Sequence, residues 1–187
     1  MEFKELPIAG AWLVQSPIHR DARGSFREWF RSDEFKMRTG LDFNVIQSNI
    51  SISNQGVIRG IHYSLAKQGQ AKWITCASGA IWDVVVDIRP SSPTFKHHVG
   101  IDLSGDSGDM LCISEGLGHG FVSLRDQTVV SYLLTSPYSP DEEFGIDPFD
   151  QDLAISWPLN NHSLSSQDKD SPSLIDQLIK GLLPDLA

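Results

Sequence analysis

Three polar side chains interrupt strand-like segments in the first half of the chain. Arg59 and His62 lie within the run from Val57 to Tyr63, and Lys72 begins the next run. An imidazole can accept a proton near neutral pH, and a positively charged donor can stabilise an oxygen on which negative charge develops. Strict alternation places Arg59 and His62 on opposite faces of a strand, whereas a bulge at Gly60 brings both to one face. On that condition, these residues are candidates for an interior catalytic site.

A metal site is the alternative chemistry that the histidines raise. His119 is flanked by glycines that let the backbone approach closely, but the adjacent His97 and His98 point to opposite faces of a strand and are interpreted as a surface pair. A metal site in a β-sandwich needs ligands such as two imidazoles and a carboxylate on one face. No Glu follows His62 within the next several residues, and Lys72 would repel a cation. We therefore expect no metal and no cofactor, with a metal-dependent oxygenase or isomerase as a lesser alternative.

The segment from Phe43 to Thr135 must position these residues, and it has the pattern of an antiparallel β protein. Short runs rich in β-forming residues are separated by turn sequences such as Ser78-Gly79, and no helical period lies between them. In the first run, Phe43 to Ser53, one face is unusually polar and carries Gln47 and Asn49. The β core is therefore expected at about residues 43–135.

Helix signals are confined to the two flanks. Ser32 is placed to cap a short helix that ends at Gly40, and Leu174 begins an amphipathic spacing in the segment of about residues 172–183. The polar stretch from Asn160 to Asp170 is too short to link two domains. The chain is therefore predicted to be a single all-β domain, residues 1–187, built as a jelly roll with short flanking helices that include a C-terminal one.

Composition excludes several classes of protein. The 187 residues are 40% hydrophobic, enough to bury a core, and 15 Lys and Arg against 24 Asp and Glu give a net charge of −9. This acidic field repels polyphosphates, so neither nucleic acid nor an anionic membrane is an expected partner. No apolar stretch approaches the ~20 residues that span a bilayer, and the N-terminus lacks the pattern of a signal peptide. We therefore expect a cytoplasmic protein in which Cys76 and Cys112 are buried reduced thiols.

Many short motifs, in order along nearly the whole chain, resemble those of dTDP-4-dehydrorhamnose 3,5-epimerases. The motifs include Asp21 to Glu28, Gln47 to Ser51, Gly56 to Tyr63, Gln70 to Lys72, Asp83 to Arg89, Gly116 to Phe121, Tyr132 to Thr135, Tyr138 to Pro140 and Leu164 to Asp168. The resemblance implies a metal-free, cupin-like jelly roll (a double-stranded β-helix) that acts as a homodimer on a dTDP-linked 4-keto-6-deoxy sugar. It implies inversion of C3 and C5 of dTDP-4-dehydro-6-deoxyglucose to give dTDP-4-dehydro-L-rhamnose.

The resemblance also implies a role for each site residue. The catalytic group would comprise His62 as the base, Asp168 as the carboxylate that orients it, Tyr132 as the acid on the opposite face of the sugar, and Lys72 facing the keto oxygen. The nucleotide sugar would be bound by Arg23, Phe26, Glu28, Gln47, Asn49, Arg59, His119 and Glu143, with Tyr138 stacked on the thymine. Residues around Arg23 to Glu28 are expected near a subunit interface, where they complete the partner's site. Family members usually carry Lys or Arg immediately before the dyad carboxylate, and this chain has Gln167 there.

The chemistry of a 4-keto hexose requires these residue types. C3 and C5 both adjoin the carbonyl, so loss of a proton from either gives an enolate that can be reprotonated on the other face. An enzyme that inverts C3 alone or C5 alone would use the same base, and the sequence leaves that choice open. A non-catalytic jelly roll that binds sugar nucleotides is the other alternative, but it has no need of His62, Asp168 and Tyr132 together.

Overall fold

Strands and three short helices make up the computed structural model, which describes residues 1–185. In chain order the elements are β1 (Glu2–Glu5), β2 (Ala11–Gln15), β3 (His19–Asp21), β4 (Gly24–Phe26), α1 (Ser32–Thr39), β5 (Gln47–Ser53), β6 (Ile58–Ser64), β7 (Lys72–Ser78), β8 (Ala80–Asp87), β9 (His98–Ser104), β10 (Asp109–Ile113), β11 (Leu117–Ser123), β12 (Thr128–Leu134), β13 (Glu143–Gly145), α2 (Ser166–Lys169) and α3 (Leu174–Ile179). In this part of the chain, no helix is long and apolar enough to cross a membrane.

Two antiparallel sheets pack face to face. The first has the order β1-β2-β10-β7-β12-β5 and the second the order β13-β6-β11-β8-β9, while β3 and β4 form a separate hairpin. Apolar side chains fill three layers, one between the sheets and one on the outer face of each. Residues of α1 cover part of the first sheet, and the chain after β13 covers the second. The predicted all-β jelly roll with short flanking helices is confirmed.

The apolar layer between the sheets fills only part of the space there. Around β8, β9 and β10 most inward side chains are apolar, as at Val85 and Leu111. Near β5 and β13, at the opposite edge of both sheets, polar side chains such as Gln47, Asn49 and Glu143 face a cavity instead. The fold therefore leaves a polar chamber at one edge of an otherwise apolar sandwich.

The strands predicted between residues 43 and 135 correspond to β5 to β12. Strands also occur outside that span: β1 to β4 precede it and β13 follows it. These strands have three to five residues, too few for alternation to reveal them. β5 begins at Gln47, four residues later than predicted, because Phe43 packs against Trp73 in an aromatic cluster instead of pairing with a strand.

The flanking helices differ from the predicted ones in detail. α1 ends at Gly40 as expected, where φ is 76°, but Ser32 is its first residue and Arg31 holds the cap position without a side-chain cap. Within the predicted C-terminal segment of about residues 172–183, only α3 is helical, because Gly181 adopts a left-handed φ of 66° and ends the helix. The sequence does not predict α2, which forms one turn in the polar stretch and begins after Ser165.

Candidate active site

The pairing of β6 with β11 contains the bulge that the sequence predicts at Gly60. Two residues of β6, Gly60 and Ile61, lie opposite the single Gly120 of β11. Gly60 has a φ of 124°, and a Cβ there would lie 2.6 Å from Cα of Gly120, so only glycine fits. The extra residue turns Arg59 and His62 to the same inner face, where both line one cavity.

His62 is paired with Asp168 of α2. The His62 Nε2 atom lies 2.6 Å from Asp168 Oδ1, and Ser165 Oγ donates to Asp168 Oδ2 at 2.8 Å. Burial of Asp168 disfavours its ionised form, but the hydrogen bonds with His62 and Ser165 outweigh it and hold the pKa of this carboxyl below its ordinary value. Because Asp168 is ionised at neutral pH, a neutral His62 ring carries its proton on Nε2 and leaves Nδ1 free to accept another.

Lys72 places a cation at the start of β7, inside the sandwich. The side chain is buried, and its Nζ atom lies 3.3 Å from the backbone oxygen of His62, to which it donates. Burial lowers the pKa of Lys72, while the negative charges of Glu143 and Asp83 oppose that shift. The two carboxylates therefore favour the ammonium form of Lys72, against the effect of burial.

His119 forms a second pair with a buried carboxylate. Its Nε2 atom lies 2.9 Å from both oxygens of Asp83, whose side chain is fully buried in β8. The register of β11 against β8 sets Asp83 beside Phe121, two residues along from His119. Asp83 thus fixes the orientation of an imidazole that faces the cavity.

Two cavities between the sheets share a wall formed by His62, Lys72 and Tyr132. The outer cavity has about 180 Å³ and the inner about 160 Å³. The rest of the outer cavity is lined by Gln47, Asn49, Gln70, Leu134, Tyr138, Glu143, Phe144 and Gln167. The rest of the inner cavity is lined by Ser51, Arg59, His119, Phe121 and Val130. An imidazole, a phenol and an ammonium therefore border the same space.

The cavity walls and the His62–Asp168 pair account for every predicted site residue except Arg23, Phe26 and Glu28. Arg23 and Phe26 line a separate depression on the β3–β4 hairpin. Glu28 is exposed and accepts a hydrogen bond from Arg31 at 3.4 Å. Among the described residues, these three form no part of the walls of either cavity.

Some polar residues of the site lie in the motifs listed above but were given no role there. Gln70 is buried and donates from Nε2 to Glu143 Oε1 at 2.7 Å, and Ser51 has a buried hydroxyl without a hydrogen-bond partner in residues 1–185. The available signal was alternation, since Gln70 lies two residues before Lys72 and Ser51 two residues after Asn49. Asp83 gave no such signal, because both it and Asp87 lie in the same apolar run, where an acidic residue is compatible with several structural roles.

The residues present fit an acid–base site. His62 and His119 each pair with a carboxylate of their own, and the ammonium of Lys72 lies between the sheets beside them. Across residues 1–185, no three His, Cys, Asp or Glu side chains are grouped in a way that could hold a metal ion. The arrangement can remove a proton, return a proton and stabilise an oxyanion.

Comparison with known proteins points to one group of enzymes. The family described as dTDP-4-dehydrorhamnose 3,5-epimerase matches residues 5–176. The chain is 42% identical to the dTDP-4-dehydrorhamnose 3,5-epimerase of Mycobacterium tuberculosis (strain ATCC 25618 / H37Rv), covering 98% of this chain and 93% of that protein. It is 40% identical to the dTDP-4-dehydrorhamnose 3-epimerase of Streptomyces niveus, covering 100% of this chain and 90% of that protein.

A solved structure extends the likeness to the fold. NovW, a 4-keto-6-deoxy sugar epimerase from the novobiocin biosynthetic gene cluster of Streptomyces spheroides, superimposes with a TM-score of 0.96 at 39% identity. The match covers 99% of this chain and 93% of that one. Sequence and fold are therefore similar to these enzymes over nearly their full length.

Proposed function

The chain belongs to the family of dTDP-4-dehydrorhamnose 3,5-epimerases, and we propose that its cavity inverts C3 and C5 of dTDP-4-dehydro-6-deoxyglucose to give dTDP-4-dehydro-L-rhamnose. Family membership confirms the resemblance found in the sequence. One observation carries the proposal for the site: the imidazole of the His62–Asp168 pair, Tyr132 and Lys72 border the same space. Two inversions next to a carbonyl need a base, an acid and a donor to the oxyanion.

His62 is the proposed base. The hydrogen bond of 2.6 Å to Asp168 holds the Nε2 proton, so Nδ1 is the nitrogen that can take a proton from C3 or C5. When the ring becomes an imidazolium, the ionised carboxylate stabilises its charge. The C4 carbonyl accepts the electron pair left at the carbon, and an enolate results.

Lys72 is the proposed donor to the enolate oxygen. Its buried ammonium acts where water is scarce, so it interacts with an oxyanion more strongly than an exposed lysine does. Tyr132 is the proposed acid that returns a proton to the other face. It lies on β12 of the first sheet, whereas His62 lies on β6 of the second, so acid and base enter the cavity from opposite sheets. This arrangement suits inversion.

We propose that the thymine of the substrate binds in the outer cavity and its diphosphate at the boundary between the two cavities. Tyr138 is 59% exposed at this cavity, and its backbone N–H donates to Gln47 Oε1 at 2.8 Å, which supports a stacking role on the thymine. A protein with a net charge of −9 must gather cations locally to bind a diphosphate. Arg59 and Lys72 provide that positive charge near the sugar.

We also propose that two copies of the chain form a homodimer in which the β3–β4 hairpin of one completes the site of the other. Arg23 and Phe26 lie outside the cavities of their own chain. β5 is the edge of its sheet, and its outer side chains Ile50 and Ile52 are 70% and 58% exposed. An apolar edge strand of this kind favours pairing with a second chain. A cytoplasmic location is proposed as well, supported by the buried free thiols of Cys76 and Cys112.

Solvent exchange tests the proposed reaction. The protein is incubated with dTDP-4-keto-6-deoxyglucose in D₂O, and C3 and C5 are followed by NMR. Deuterium at both carbons with inversion is the expected result, and exchange at C3 alone would favour the second candidate, a 3-epimerase like the Streptomyces niveus relative. Binding without exchange would leave a non-catalytic sugar-nucleotide-binding protein. His62→Ala serves as the control and is expected to show no exchange at either carbon while folding normally.

Subunit mixing tests the proposed dimer. Inactive His62→Ala and inactive Arg23→Ala proteins are combined under conditions that exchange subunits. If Arg23 acts across the interface, each heterodimer carries one site with both residues intact, and part of the activity returns. No recovery after verified exchange would place Arg23 with the cavity of its own chain.

A further inference from the structure

Two serines near the C-terminus make the same pair of hydrogen bonds. Ser165 Oγ accepts from the backbone N–H of Asp168 at 3.0 Å and donates to Asp168 Oδ2 at 2.8 Å. Ser173 Oγ accepts from the backbone N–H of Asp176 at 3.1 Å and donates to Asp176 Oδ2 at 2.7 Å. Each serine is the N-cap of a short helix, α2 or α3. The sequence pattern Ser-x-x-Asp is thus used twice, eight residues apart.

The two aspartates differ in what their carboxylates face. Asp176 is exposed. Asp168 is only 4% exposed, and its second oxygen, Oδ1, lies 2.6 Å from His62 Nε2. Ser165 therefore holds one oxygen of the carboxylate while His62 binds the other. Since α2 is a single turn of four residues, this serine is a principal local constraint on where the carboxylate points.

We propose that Ser165 is a positioning residue for the epimerisation, which fixes the orientation of Asp168 and, through it, the ring of His62. The inference rests on the proposed role of the His62–Asp168 pair. Ser165 forms no part of either cavity wall in the described chain, so it acts only through Asp168. Without the donated hydrogen bond, the carboxylate can rotate, and the imidazole spends less time with Nδ1 directed at the substrate.

Glycine variants separate this role from simple helix capping. Glycine is nearly as good an N-cap as serine, but it has no hydroxyl to donate to a carboxylate. Ser165→Gly and Ser173→Gly therefore remove the same two side-chain hydrogen bonds from matched positions, and only the first touches the dyad. Ser165→Thr restores a hydroxyl at a position that is exposed and can accommodate a methyl group. Both glycine variants are expected to stay folded, and the melting temperature of Ser165→Gly is expected to fall further, because this variant loses a hydrogen bond to a buried carboxylate.

The readout is the division between kcat and KM in the NMR-monitored epimerisation of dTDP-4-keto-6-deoxyglucose. Ser165→Gly is expected to lower kcat about tenfold, the scale of one hydrogen bond to a charged group, with KM changed less than twofold. Ser173→Gly is expected to keep both constants, and Ser165→Thr to recover most of kcat.

Three results would overturn the inference: equal kcat in the two glycine variants, a change confined to KM, or a Ser165→Thr variant whose kcat is as low as that of Ser165→Gly. In each of these cases the wild-type protein epimerises normally, so the proposed function stands. A wild-type protein that shows no epimerisation would instead overturn the proposed function, and the positioning role with it.

Discussion

Replacing Asp168 by Asn tests the His62–Asp168 pair with the smallest possible change in shape. Asparagine keeps the size of the side chain and can still accept one hydrogen bond, but it carries no charge. In the folded protein the Asp168 carboxylate is 5% exposed and lies 2.6 Å from His62 Nε2. A hydrogen bond to a charged group contributes about 1.5–3 kcal/mol, and each ~1.4 kcal/mol is a factor of ten in rate. We therefore expect kcat to fall about 10- to 150-fold.

Solvent limits that loss, since the imidazole of His62 is 39% exposed and water screens part of the charge that develops on it. The effect is expected in kcat and not in KM, because Asp168 contacts the base but does not itself line either cavity. Deuterium exchange at C3 and C5 under saturating substrate measures it, beside His62→Ala, which removes the base itself. Melting curves check that both variants fold. Full activity in Asp168→Asn would refute the dyad, and so would a folded variant as inactive as His62→Ala.

Three further predictions address the acid, the nucleotide contacts and the stability of the fold. Tyr132→Phe is expected to retain more of the solvent-exchange rate than of the inversion rate, because the base can return a proton to the face that it left. NMR follows both rates, and an equal loss of the two would assign Tyr132 to binding or packing. Arg59→Ala and Tyr138→Ala are both expected to weaken dTDP binding, but the loss of affinity should depend strongly on salt concentration only for Arg59→Ala. Titration calorimetry at two salt concentrations measures this, and an equal salt dependence in the two variants would contradict it. Asp87→Asn is expected to destabilise the fold by about 2 kcal/mol at pH 7, because hydrogen bonds from Arg89 and two hydroxyl groups outweigh burial and lower the pKa of Asp87 to about 2. A carboxyl whose pKa is lowered in the folded state contributes stability above its unfolded pKa, and that stability is lost as pH falls from about 4 toward 2. Urea unfolding should therefore show that the difference in unfolding free energy between wild type and Asp87→Asn shrinks over this pH range. A difference that stays constant would contradict the prediction.

Alternation along the chain determined which side chains share a face. The polar face of the run from Phe43 to Ser53 became the cavity face of β5, and Lys72 began β7 as predicted. The bulge could also be inferred, because glycine between Arg59 and His62 is the residue that tolerates the required backbone. These features depend on neighbours in sequence, so the sequence carries them directly.

Pairings between distant residues were decided by the tertiary structure. His62 and Asp168 are 106 residues apart, and no local pattern connects β6 to a one-turn helix near the C-terminus; their pairing was expected only from the family resemblance. The partnership of Asp83 with His119, 36 residues away, follows from the register of β8 against β11. Sheet order and register depend on the packing of whole faces, which short windows of sequence do not encode.

The position of the β3–β4 hairpin was likewise decided by the tertiary structure. Its motif, Asp21 to Glu28, contains residues for which the family resemblance implies a site role, yet Arg23 and Phe26 lie on the exposed β3–β4 hairpin, apart from the cavities of their own chain. Residue types and spacing determined what chemistry this protein could perform. Which groups meet, and on which side of the substrate they stand, was decided only when the two sheets closed around the polar chamber, because contact depends on the three-dimensional path of the chain.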